Sequence, residues 1–88
     1  MQITFLSRFE KDVGNISNKA VASKLITTIM QLENAFSLTE ISSIKKLKGH
    51  PHAFRLKLFN YRLGFYYENG VIELARILPR KDIYKYFP

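Results

Sequence analysis

The chain is predicted to be a single α+β domain, with a small antiparallel sheet of about four strands and two N-terminal helices packed on one face. Three observations carry this prediction. Apolar residues recur every three or four positions in the first half. They alternate with polar residues in the second half. The dipeptide Asn69-Gly70 separates two strand-like runs and is the preferred two-residue hairpin turn. At 88 residues the chain holds one domain over positions 1–88, and its 47% hydrophobic content suffices for a core.

The elements follow in order. Ile3 and Phe5 alternate in Met1–Leu6 and predict a short strand. Ser7 followed by Glu10 forms a capping-box pattern, which opens a helix with Phe9, Val13 and Ile16 on one stripe. Gly14-Asn15 interrupts it, and Ser17 is placed to cap a longer helix. There Val21, Leu25, Ile29, Leu32 and Phe36 form the apolar stripe, widened by Ile26 and Met30. A short basic stretch, with Ile44 and Leu47 between Lys45, Lys46 and Lys48, ends at the turn Gly49-His50-Pro51. Phe54, Leu56 and Leu58 then alternate with Arg55 and Lys57. Asn60 marks a tight connection. Beyond it Tyr61, Leu63, Phe65 and Tyr67 lie opposite Arg62 and Tyr66. Val71–Leu78 is a β-branched, apolar strand stopped by Pro79, and Asp82–Phe87 reads as either a helical turn or an extended tail.

Charge gives the first functional clue. Residues 1–44 carry four Lys or Arg and four acids, whereas residues 45–88 carry ten Lys or Arg and three acids. The whole net charge of +7 therefore sits in the second half. A one-sided basic surface is suited to a polyanion. Without cysteine there is neither a disulfide nor a thiolate metal site. His50 and His52 lack a third ligand at useful spacing, and the acids are scattered, so no metal site and no cofactor is expected. No stretch approaches the length of a membrane span, and Met1–Lys11 has no apolar leader core, so a cytoplasmic location without membrane contact is expected.

On the strands, Arg55, Lys57 and Arg62 point away from the apolar residues, and no acid occupies the exposed positions between 55 and 62. Arg80 follows the last strand and can reach the same face. Arginines there would hold a phosphate through charge-assisted hydrogen bonds. Tyr66, Tyr84 and Tyr86 are candidates to stack on an unpaired base. Lys45, Lys46, Lys48, Arg76 and Lys81 extend the candidate nucleic-acid-binding set.

Several of these segments together resemble a known family. Lys46-Leu47-Lys48-Gly49-His50-Pro51, Phe54-Arg55-Leu56-Lys57-Leu58, Asn60-Tyr61-Arg62-Leu63 and Ile77–Tyr84 are similar, in this order, to segments of the RelE/ParE toxin superfamily, with RelE-type toxins the better match. The resemblance spans the whole chain. It implies a microbial-RNase-like fold and the toxin of a type II toxin–antitoxin system. The implied activity is that of an mRNA interferase, an endoribonuclease that cuts mRNA on the 70S ribosome and inhibits translation. By position, Arg55 and Lys57 match the family's basic strand pair, Arg62 its strand-opening arginine, Arg80 its C-terminal arginine and Tyr84 its C-terminal tyrosine, with Tyr86 competing for that last role. Pro79 stands where many relatives have histidine, so a histidine acid or base is missing. Metal-free cleavage by 2′-hydroxyl attack needs a base, cations for the phosphoryl charge and an acid for the leaving oxygen. Lys57, set among cations, is the candidate base; Arg62 with Arg55 or Arg80 would hold the phosphoryl oxygens, and Tyr84 would stack or donate a proton. The resemblance also implies a cognate antitoxin with an acidic toxin-binding segment. Two alternatives stay open: a ParE-like DNA gyrase poison without nuclease activity, and an inactive toxin that only binds its antitoxin.

Overall fold

The computed structural model describes residues 1–88. In chain order the elements are β1 (Gln2–Phe5), α1 (Ser7–Gly14), α2 (Lys19–Asn34), a 3-10 turn (Leu38–Glu40), β2 (Ile44–Lys46), β3 (Ala53–Leu58), β4 (Tyr61–Glu68), β5 (Val71–Pro79) and α3 (Arg80–Tyr86). The strands form one sheet in the order β1-β5-β4-β3-β2. The α+β class is as the alternation and the helical stripes predict. The sheet has five strands rather than four, and β1 pairs with β5 in parallel, Gln2 opposite Val71 through Phe5 opposite Leu74. No helix is long and apolar enough to cross a membrane.

Strand alternation sets the two faces of the sheet, and in β5 it is shifted by one residue where the pairing with β4 skips Ala75 between Leu74 and Arg76. Leu56, Leu58, Leu63, Phe65, Ile72, Leu74 and Ile77 point to one side and form the main core with Phe9 of α1 and Leu25 and Leu32 of α2. The opposite side carries Ala53 and Ala75, over which Ile83 of α3 and the following Phe87 close a second, smaller core. Asp82–Phe87, which the sequence allows as a turn or a tail, belongs to α3 and its C-cap, and this helix roofs the face away from α1 and α2. Pro79 ends β5 and stands at the N-cap of α3.

The helix starts differ from those the sequence suggests. Leu6, not Ser7, is the N-cap of α1, with no side-chain cap. The same Ser-x-x-Glu pattern does close at residues 37–40, where the Thr39 N–H donates to Ser37 Oγ at 3.2 Å and the Ser37 N–H donates to Glu40 Oε2 at 3.0 Å. For α2 the cap is Asn18 rather than Ser17; its Oδ1 accepts from the Ala20 and Val21 N–H groups at 2.9 and 3.2 Å. The apolar stripe of α2 is narrower than expected. Val21, Leu25 and Leu32 are buried, whereas Ile26 and Met30 are exposed and Phe36, just past the helix, is 96% exposed.

Asp12 of α1 is buried and engages the edge of β5 beyond the reach of β1. One carboxylate oxygen accepts from Arg76 Nε at 2.7 Å and the Ile77 N–H at 3.1 Å, and the other accepts from Arg76 Nη2 at 3.1 Å. Asp12→Ala should lower stability by about 3 kcal/mol, because it leaves a largely buried guanidinium unpaired. Urea unfolding of the variant beside the wild type measures this; a shift below about 0.5 kcal/mol, the range of ordinary surface substitutions, contradicts it.

Candidate nucleic-acid interface

The side of β2, β3 and β4 away from the main core gathers the cations. In the antiparallel register Lys45 lies opposite Arg55, and Lys57 lies opposite Arg62. All four therefore share the face away from the main core. Arg55 Nη1 donates to the Ser43 carbonyl at 3.3 Å. Lys57 is exposed. Lys46 lies opposite Phe54, on the helix side of the sheet, and Lys48 is exposed in the turn after β2. The basic stretch before Pro51 thus divides between faces.

Arg62 is 7% exposed, unlike the solvated position its strand alternation suggests. Its Nη1 donates to the carbonyls of Phe59 and Tyr61 at 2.9 and 2.8 Å. Burial lowers its pKa from the ordinary arginine value, the charges of Arg55 and Arg80 lower it further, and Tyr84 acts in the opposite sense. The guanidinium stays charged at neutral pH. These couplings mark Arg55, Arg62, Arg80 and Tyr84 as electrostatic neighbours contributed by β3, β4 and α3.

The tight turn holds these elements together. The Arg80 N–H donates to the Asn60 carbonyl at 2.7 Å, tying the start of α3 to the β3–β4 turn. Asn60, Pro79, Arg80, Lys81 and Tyr84 line an open depression of about 630 Å³. Arg80, Lys81 and Tyr84 are all exposed there. None of Arg55, Arg62 and Arg80 has a carboxylate partner; the ion pairs of the chain are His52–Glu68, Arg76–Asp12 and Lys85–Asp82.

The remaining sequence candidates lie apart. Arg76 is held by Asp12, whose hydrogen bond raises its pKa, and its guanidinium carbon sits 5.6 Å from the Tyr86 ring. Tyr86 is therefore on the Arg76 side of α3, while Tyr84 lines the depression. Tyr66 packs on Phe87 at 5.2 Å between ring centroids. Two positions that the sequence reading missed shape the site. Asp12 fixes Arg76, and Gly64 makes room for α3, since a Cβ there would stand 2.6 Å from the Phe87 ring. Neither signal is local: each partner lies far along the chain.

No family model matches the chain. It is 33% identical to the toxin RelE3 of Methanocaldococcus jannaschii over 89 residues, with both chains covered in full. It is similar to a chain of the RelB–RelE antitoxin–toxin complex from Methanococcus jannaschii, with a TM-score of 0.81, 31% identity and coverage of 97% of this chain and 99% of that one. The archaeal RelE–RelB complex from Pyrococcus horikoshii OT3 shares the fold, with a TM-score of 0.71, 20% identity and coverage of 93% and 97%. Fold, size and sequence together define the class as the toxin of a type II toxin–antitoxin system. Within that class the chain belongs to the RelE toxin family.

Gly64→Ala should dislodge Phe87 and, with it, the docking of α3. The expected result is a lower melting temperature and faster amide exchange across residues 80–87 than in the wild type. Unchanged exchange in that segment would show that the close approach of Gly64 and Phe87 does not hold the helix.

Proposed function

We propose that this toxin is a ribosome-dependent, metal-independent mRNA endonuclease. The observation that carries the reading is the set of three arginines, Arg55, Arg62 and Arg80, coupled on one face without an acid, beside Lys57 and Tyr84. Uncompensated like charges destabilise the free protein, and a phosphodiester relieves that repulsion. In addition, no three histidine or carboxylate side chains converge to hold a metal ion.

The reaction follows from the chemistry of RNA. A base, with Lys57 the candidate, removes the proton of the 2′-hydroxyl. The resulting oxygen attacks the adjacent phosphorus, and the bond from phosphorus to the 5′-oxygen breaks. The leaving oxygen takes a proton, for which Tyr84 is a candidate donor if it does not instead stack on a base. The products are a 2′,3′-cyclic phosphate and a free 5′-hydroxyl. Arg55, Arg62 and Arg80 stabilise the charge that builds on the phosphoryl oxygens. Lys45, Lys48 and Lys81, all exposed, are candidates to follow the RNA backbone. The ribosome supplies the mRNA in a cleavable geometry, which a groove without a histidine acid or base does not create alone.

The partner proposed is an antitoxin whose acidic segment covers this basic surface, in keeping with the relatives' complexes of RelE with RelB. The site of action is the cytoplasm, where translating ribosomes are found.

Arg80 is the cleanest probe. It is exposed, and its structural hydrogen bond comes from the backbone, so alanine retains it. Arg80→Ala should slow ribosome-dependent cleavage about 10²–10³-fold, the usual loss of one transition-state charge donor. Its stability should change by only about 0.5 kcal/mol. Arg62→Ala should also abolish most activity, but it removes two turn contacts as well, so its melting must be read beside its rate. Lys19→Ala and Lys24→Ala, on α2, should cut like the wild type. Cleavage mapping on translating ribosomes measures all four. Intact mRNA together with trapped gyrase–DNA breaks would replace this reading with gyrase poisoning.

A further inference from the structure

We propose that Phe59 is a stacking platform for a nucleobase of single-stranded RNA beside the depression lined by Asn60, Arg80, Lys81 and Tyr84. The substrate class rests on the endonuclease reading above; the placement of the base does not.

Phe59 and Asn60 form the two-residue turn between Leu58 and Tyr61, which are paired across β3 and β4. Phe59 has φ of 56°, in the left-handed region. Glycine, asparagine and aspartate favour such a turn position; a bulky aromatic residue there is strained. Its ring is also 63% exposed and stacks on no other ring of the chain. The residue thus carries backbone strain and an uncovered apolar surface together. Strain of this kind concentrates at binding sites, where the surrounding structure holds it. Here the hold is visible. Arg62 Nη1 donates to the Phe59 carbonyl at 2.9 Å, and the Arg80 N–H donates to the next carbonyl, that of Asn60, at 2.7 Å.

The surroundings select the ligand. Lys57 and Arg62 flank the turn in sequence, and Asn60 lines the depression with Arg80, Lys81 and Tyr84. An aromatic ring set among cations matches a base attached to phosphates: the cations hold the backbone and the ring takes the base face. Phe36 is more exposed but offers no such match, since its N–H donates to the Glu40 carboxylate, an anion that repels phosphate. Tyr84 and Phe59 would then receive two bases, or the two faces of the nucleotides flanking one phosphate.

The test uses the intact chain and a short single-stranded RNA with 2′-O-methyl groups to block cleavage, carrying the fluorescent base 2-aminopurine at successive positions. Wild-type protein and Phe59→Tyr should quench 2-aminopurine at one position. Phe59→Leu should lose the quenching and bind about 5- to 150-fold more weakly, the range for losing one stacked base. Phe59→Gly should lose it too, while melting no lower than the wild type, because glycine tolerates the turn conformation. Equal quenching and affinity in Phe59→Leu overturn the proposal, as does a wild type that quenches at no position. A defect of Phe59→Leu confined to antitoxin binding also overturns it and makes Phe59 a protein contact. If the wild type cuts no mRNA but shows Phe59-dependent quenching, the nuclease reading falls and the stacking site stands. If Phe59→Leu quenches and cuts like the wild type, the reverse holds.

Discussion

The carboxylate of Asp12 links α1, the open stretch of the β5 edge and, through Arg76, the side of the sheet that α3 covers. β1 covers only the first part of the β5 edge, from Val71 to Leu74. Past that point the edge would present an unpaired N–H at Ile77, and a buried unpaired N–H is costly. Asp12 accepts from that N–H and from two nitrogens of Arg76, so one side chain of α1 completes the sheet edge and neutralises a cation. Arg76 in turn lies 5.6 Å from the ring of Tyr86 on α3. Helix α1 on one side of the sheet and helix α3 on the other are thereby referred to the same strand. Because α3 carries Arg80 and Tyr84, the placement of the cationic site is tied to a contact far from it in sequence.

The cationic face is stable only because each unfavourable feature has a local counterweight. Arg62 is desolvated and repelled by Arg55 and Arg80, yet two turn carbonyls accept its hydrogen bonds. The turn that offers those carbonyls is itself strained at Phe59. The Asn60 carbonyl anchors Arg80 through its backbone, which leaves the Arg80 side chain free. The same short turn therefore orients one arginine by its side chain and another by its main chain. Such agreement of several locally unfavourable choices at one place is characteristic of a binding site rather than of a stabilised surface.

Much of the sheet is legible in the sequence because a period of two is a local signal. Phe54–Leu58 and Tyr61–Tyr67 alternate without interruption, and each residue falls on the face its parity assigns. Helix α2 is legible from its stripe, but the stripe's edges are not, since Ile26 and Met30 differ from Leu25 and Leu32 only in what lies opposite them. Caps are less legible still. Two Ser-x-x-Glu patterns occur, at residues 7–10 and 37–40, and only the second closes. The side of Arg62 could be read from alternation, whereas its depth depends on the turn carbonyls folding back over it. The partnerships of Asp12 with Arg76 and of Gly64 with Phe87 join residues remote in sequence, and nothing in a single chain marks them.

The second core explains why α3 can be both roof and arm. Ile83 and Phe87 stand four residues apart and point into the sheet, where Ala53, Gly64 and Ala75 leave space for them. Successive residues of a helix turn by about 100°. With Ile83 fixed inward, Tyr84 faces outward beside Arg80, and Tyr86 is carried round to Arg76. The two tyrosines that sequence spacing leaves equivalent are thus separated by packing alone. Small residues beneath the helix decide which of them stands at the depression, so the identity of the site is written partly in residues that never touch it.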